Sequence, residues 1–216
     1  MVKSKSGLAI QLSKLRTFEN PKVELEQYPT ESEIAAEILW FAGMNDDVSE
    51  KVIVDLGCGT GILGIGALLL GADKVVFVDV DADALKICRE NLFLVDKTLL
   101  ERAEFVNKDV KDFDFKADLA IQNPPFGTKQ KHADVIFLET AMKTAPVIYS
   151  FHKLETRQFI DDYASRNGFK QTHFWTFDWP LKMALAFHRK RIERIKVGCW
   201  RLERLKSDAR SLQKSI

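Results

Sequence analysis

The chain has 216 residues, a nearly balanced charge of +1, and three widely spaced cysteines, Cys58, Cys88 and Cys199. That length suits one large domain able to bury a substantial core, and the charge balance does not call for a polyanionic partner of the whole surface. Three unclustered thiols argue against a disulfide scaffold or a metal centre and for a reducing, cytoplasmic compartment; no apolar run approaches the roughly 20 residues that a membrane span needs.

Leu8, Leu12 and Leu15 recur at near-helical spacing and predict a short N-terminal helix, which Asn20-Pro21 breaks. After Glu26-Gln27-Tyr28-Pro29, Thr30 reads as a helix N-cap with Glu33 three residues on, a capping-box pattern. Ile34, Ala35, Ile38, Leu39 and Phe41 form the apolar face of that helix. On pattern alone, residues 1–45 are an arm packed on the core.

Lys51–Leu56 is a continuous apolar strand containing Asp55, followed by Gly57-Cys58-Gly59-Thr60-Gly61 and an apolar helix from Ile62 to Leu70. Strand, glycine turn and helix open a nucleotide-binding α/β unit. The glycine spacing is not that of a dinucleotide fingerprint, and no Lys-Ser or Lys-Thr follows to make a phosphate-gripping loop. An acid at the turn repels phosphate and suits a ligand carrying an ammonium or sulfonium, which favours S-adenosylmethionine over NAD. The second strand, from Lys74, ends at Asp79-Val80-Asp81, with Asp79 22 residues after Gly57, where a carboxylate meets ribose hydroxyls. Asp81 caps the following helix, which runs from Ala82 to about Val95. Asp109 and Val110 fall at the end of a third strand, Glu104–Asn107, and could offer an acceptor and an apolar wall to an adenine.

The fourth strand, Ala117–Gln122, is stopped by Asn123-Pro124-Pro125-Phe126, because proline has no ladder donor and restricts the residue before it. Asn123 therefore stands at a carboxyl edge, where ligands bind in parallel sheets. A helix from about Asp134 to Lys143, a fifth strand at Pro146–Phe151 and a helix from Thr156 to Arg166, closed by Asn167-Gly168, complete the alternation. The remainder is β-rich: Phe169–Phe177, Met183–Phe187, and a stretch to about Leu202 before a tail. Between Lys182 and Lys206, nine Lys or Arg face two Glu, a local charge of +7. The expected fold is α/β, a doubly wound, seven-stranded, mostly parallel sheet finished by an antiparallel hairpin, with the catalytic domain over residues 46–203 and a tail at 204–216.

The Val54–Gly61 stretch with Asn123–Phe126 resembles the S-adenosylmethionine-dependent methyltransferases that modify amino groups on planar substrates. More closely, Glu26–Thr30, Asn123–Phe126 with Gly127-Thr128-Lys129, and Tyr149-Ser150-Phe151-His152-Lys153 resemble the methyltransferase-like-five family, over about Phe18 to Leu202. That family makes N6-methyladenosine in small-subunit ribosomal RNA. The resemblance implies that Gln27, Tyr28 and Thr30 close the arm over the cofactor as a lid. It gives the cofactor Asp55, Gly57, Gly59 and Gly61, places Asp79 with Val80 at the ribose and Asp109 with Val110 at the adenine, and sets Asn123 facing the transferred methyl group. Asn123 and the Pro124 carbonyl would accept the amine hydrogens while Phe126 stacks on a flipped-out base. Lys129, Lys131, Lys153 and Arg189-Lys190-Arg191 are the expected RNA grip. The resemblance also implies a small zinc-binding methyltransferase activator as partner, although the longer basic end after Phe187 departs from the eukaryotic pattern. Protein glutamine, a guanine amine and DNA adenine remain as rival substrates, and a non-catalytic RNA-binding subunit as a rival class.

Overall fold

In the computed structural model, which describes residues 2–126, 133–182 and 192–206, one seven-stranded sheet runs through the molecule. Short β-branched and apolar runs form β1 (Val52–Leu56), β2 (Lys74–Asp79), β3 (Ala103–Asn107), β4 (Leu119–Gln122) and β5 (Val147–Lys153). They pair in parallel in the order β3-β2-β1-β4-β5. Strand order reverses between β1 and β4, so a crevice opens beyond their carboxyl ends. Then β6 (Phe169–Lys182) and β7 (Ile192–Arg204) form the antiparallel end, with β7 pairing β5 and β6 at the edge.

Alternate strand residues feed two apolar layers, because side chains alternate across a strand. Ile53, Val75, Phe77, Leu119 and Ile121 face one layer. It is covered by α1 (Lys5–Leu12), α2 (Ser32–Met44), α3 (Ile62–Leu69) and α4 (Ala82–Asp96). Val54, Val76, Val78, Ala120 and Ile148 face the other, beneath α5 (Ala133–Thr144) and α6 (Arg157–Arg166). Leu8, Ala9 and Leu12 are fully buried in the first layer, so α1 and α2 share its core.

Two local expectations change. Thr30 does not cap α2: the cap position belongs to Glu31, with no side-chain capping bond, because the Thr30 hydroxyl is turned to Asn123 instead. The break expected after Phe177 is absent, since β6 continues through Trp179-Pro180, which an edge position tolerates, β6 having no outer neighbour among the described residues. The strand expected at Met183–Phe187 lies outside the described residues. Asp81 does cap α4, accepting from the Asp83 N–H at 3.1 Å.

A buried ion pair fastens the end of the arm to the far side of the sheet. Arg201 on β7 donates Nε and an Nη to the two Asp47 oxygens at 2.8 and 2.9 Å, and the Tyr149 hydroxyl donates to the same carboxylate at 2.7 Å. These bonds hold the Asp47 carboxyl below the usual range against the opposing effect of burial. Removing one partner strands the other in low dielectric. Arg201→Ala is therefore expected to cost about 3–5 kcal/mol, read as a lowered urea midpoint.

Candidate active site

Beyond the carboxyl ends of β1, β2 and β4 lies a cavity of about 340 Å³, within the range of small-ligand sites. Its floor is the turn after β1. Gly57 and Gly59 hold φ of +65° and +53°, and a β-carbon there would stand 2.6 Å from the Phe137 ring and 2.7 Å from the Phe18 ring. Only glycine allows both the left-handed backbone and so close an approach. Gly61 begins α3 and packs on Cys88 rather than lining the cavity.

Among the charged groups on the walls carboxylates prevail: Glu24, Glu26, Asp55, Asp79 and Asp109 against Lys111. Asp55 is buried at 1% exposure and accepts from the Gly64 N–H at 2.8 Å. Burial, aided by the Asp79 charge and opposed by that hydrogen bond, pushes its carboxyl up to about 7. Asp79 accepts from the N–H groups of Gly59 and Asp81, both at 2.8 Å, while burial raises its carboxyl despite those bonds. Asp109 accepts from the Lys111 N–H at 3.0 Å and pairs with its ammonium at 3.1 Å. Val80 and Val110 add apolar wall.

A strap between Phe18 and Glu31 closes one side of the cavity. Gln27 accepts from the Lys22 N–H at 2.8 Å and donates to Asp81 at 2.7 Å, and Lys22 pairs with the same Asp81 at 2.6 Å. Tyr28 lines the cavity, and burial beside the Glu26 charge raises its phenol. Asn123 donates from Nδ2 to the Thr30 hydroxyl at 3.1 Å, leaving its Oδ1 buried and without a partner. A buried amide oxygen left unpaired costs about 1–3 kcal/mol unless a ligand fills it.

The remaining expected residues divide. Of the tetrapeptide, Asn123 and Pro125 line the cavity; Pro124 is buried behind them and the Phe126 ring packs on the first core layer. Lys153 pairs with Glu155 at 3.6 Å and stands apart from the cavity. Lys129, Lys131, Arg189, Lys190 and Arg191 lie outside the described residues. Phe18 and Phe137 against the glycine turn, and Glu26, were not singled out by the sequence. Glu26 was visible only inside the Glu26–Thr30 run, and isolated phenylalanines on helical or loop stretches carry no signal.

Similarity now joins geometry. The methyltransferase small domain family matches residues 32–148, more than half the chain, so the protein belongs to that class. More narrowly, it belongs to the methyltransferase-like-five family. It is 38% identical to the Danio rerio rRNA N(6)-adenosine-methyltransferase METTL5 over 86% of this chain and 92% of that protein. A protein of uncharacterized function from Methanocaldococcus jannaschii is 36% identical over 95% of this chain and 96% of its own. A solved structure of a candidate RNA methyltransferase from Pyrococcus horikoshii superposes with a TM-score of 0.87 at 43% identity, covering 95% of this chain and all of that one.

The chain is an S-adenosylmethionine-dependent methyltransferase, and its residues fit that cofactor. An anionic cavity suits a sulfonium and an ammonium, and glycines without β-carbons admit close backbone contact.

Because Asp55 titrates near 7 in the fold, a cationic ligand that favours its ionised form binds more tightly as pH rises through that value. Affinity for S-adenosylmethionine is expected to rise about tenfold between pH 6 and 8, with Asp55→Asn flattening the profile, by calorimetry. The raised value also means that Asp55 supports folding most fully below the unfolded carboxyl's value, a contribution lost as pH rises through about 7. Gly59→Ala should weaken cofactor binding by about tenfold or more, since the backbone and the Phe18 ring must both shift.

Proposed function

We propose that the protein methylates the N6 amine of an adenine in structured RNA, with small-subunit ribosomal RNA as the target. The observation that carries this reading is the unpartnered, buried Oδ1 of Asn123 at the rim of the methyl-donor cavity. An exocyclic amine is a poor nucleophile because its lone pair is delocalised into the ring. Asn123 Oδ1 accepts one of its N–H groups, and the Thr30 hydroxyl fixes the amide so that the oxygen faces the amine. That bond draws the nitrogen toward tetrahedral geometry and frees its lone pair. Bound S-adenosylmethionine supplies an electrophilic methyl group. The remaining work is orientation and electrostatics, with the proton leaving afterwards from a cationic product.

The other roles follow from position. Asp79 keeps lone-pair capacity beside its backbone contacts to accept ribose hydroxyls, and Asp109 with Val110 forms the adenine wall. Gln27, Tyr28 and Thr30 make residues 1–45 a lid as well as an arm. Phe126 stacks on the extruded base only if its ring leaves the core packing described above. Names borne by the relatives support RNA as substrate. A small zinc-binding activator as partner rests on the resemblance alone. A cytoplasmic site of action is supported by three buried free thiols; no helix among the described residues is long and apolar enough to cross a membrane.

Labelled methyl transfer to undermethylated small-subunit ribosomal RNA, followed by nucleoside analysis, tests the reading. Label is expected in N6-methyladenosine, and Asn123→Ala should lower kcat by about 100-fold or more while the cofactor still binds. Label absent from RNA with the cofactor bound would redirect the search to protein glutamine.

A further inference from the structure

The Asn-Pro-Pro-Phe turn presents a mechanical problem. Pro124 and Pro125 carry no N–H, so the first backbone donor after Asn123 is that of Phe126. No sheet partner takes it. It donates instead to the Glu26 carboxylate at 3.0 Å, across 100 residues of sequence. Glu26 is only 6% exposed and lines the cavity. Its backbone is left-handed, with φ 49° and ψ 47°, where a residue with a β-carbon is disfavoured. Such strain is retained where the surrounding contacts impose it, and it accumulates at functional sites. Four residues on, the same strap supplies Thr30 to the Asn123 amide. The strap therefore grips the turn at both ends, the Asn123 side chain at one and the Phe126 backbone at the other.

We infer that Glu26 is a positioning residue for methyl transfer, its carboxylate clamping the Phe126 N–H so that the turn holds Asn123 Oδ1 toward the reacting amine. This rests on the proposed role of Asn123. What the task needs is an acceptor oxygen within hydrogen-bond reach of the Phe126 N–H, and Glu26 places one at 3.0 Å. The clamp acts on the turn rather than on the cofactor, so its loss should appear in the chemical step.

Wild type, Glu26→Gln and Glu26→Ala separate the possibilities, since all three bear the same β-carbon on the left-handed backbone and only alanine removes the acceptor. Three quantities are read: amide hydrogen exchange at Phe126 without cofactor, S-adenosylmethionine affinity by calorimetry, and single-turnover methyl transfer to RNA. Glu26→Ala is expected to speed Phe126 exchange by about tenfold or more and to slow transfer about 10- to 100-fold, with cofactor Kd within about threefold. Glu26→Gln is expected to stay within about threefold of wild type in all three. Unchanged Phe126 exchange in Glu26→Ala would overturn the clamp. So would an equal rate loss in Glu26→Gln, which would assign the work to charge, or a Kd that rises in step with the rate loss, which would make Glu26 a cofactor contact. If wild type transfers no methyl to RNA, the substrate reading fails while the exchange measurement still decides whether Glu26 holds the turn.

Discussion

Two consecutive prolines at the end of β4 impose the constraint on which the rest of the site depends. They end the ladder where strand order reverses, beside the glycine turn that follows β1, so one short crevice meets both. Without N–H groups the prolines cannot fasten the chain to its own sheet, and the turn must be held from elsewhere. Strap residues supply that hold, and in doing so they also roof the cavity. The Asn-Pro-Pro-Phe turn and the cavity wall thus share one supporting segment.

Electrostatics adds a second coherence. Burying Asp55 and Asp79 next to each other is costly, as their raised carboxyl values record. Backbone N–H groups from Gly59, Gly64 and Asp81 offset part of that cost, and a cationic ligand offsets more. The cavity is therefore poised for positive charge before any ligand enters, which is preorganisation in the ordinary catalytic sense. The same negative lining disfavours phosphate, in keeping with a cofactor that carries none.

The five-fold alternation of strands and helices was readable because each strand is a dense apolar run bounded by glycine, proline or acid, and because buried parallel strands need no period to be recognised. Boundaries failed where one residue had two uses. Thr30 has the chemistry of a helix cap, but the Asn123 amide, 93 residues away, competes for its hydroxyl and wins. The strand expected over Phe169–Phe177 instead runs on through Pro180 to Lys182, because an edge position removes the penalty a proline carries inside a sheet. Phe126 reads as a stacking platform; the structure shows its ring half-buried against the first core layer, a contact the sequence does not reveal. In each case tertiary contact overrode local preference, and no single sequence contains that information. The strap contacts of Glu26, Gln27 and Lys22 were invisible for the same reason: each joins segments remote in the chain.

The Arg201–Asp47 pair spans 154 residues and ties the end of the arm to the penultimate strand of the sheet. During synthesis, β1 to β4 can emerge and pair while Asp47 still lacks its counter-charge. Such a partial chain holds the glycine turn, Asn123 and the strap contacts of Glu26, Gln27 and Thr30, but not the ion pair that fastens the chain just past α2 to β7. The roof over the cavity can thus close before release of the last strand, whereas the fastening of Asp47 must wait for it, an order set by sequence separation. A nascent fragment that already carries the glycine turn and the Asn-Pro-Pro-Phe turn would still hold a carboxylate, Asp47, without the guanidinium that balances it.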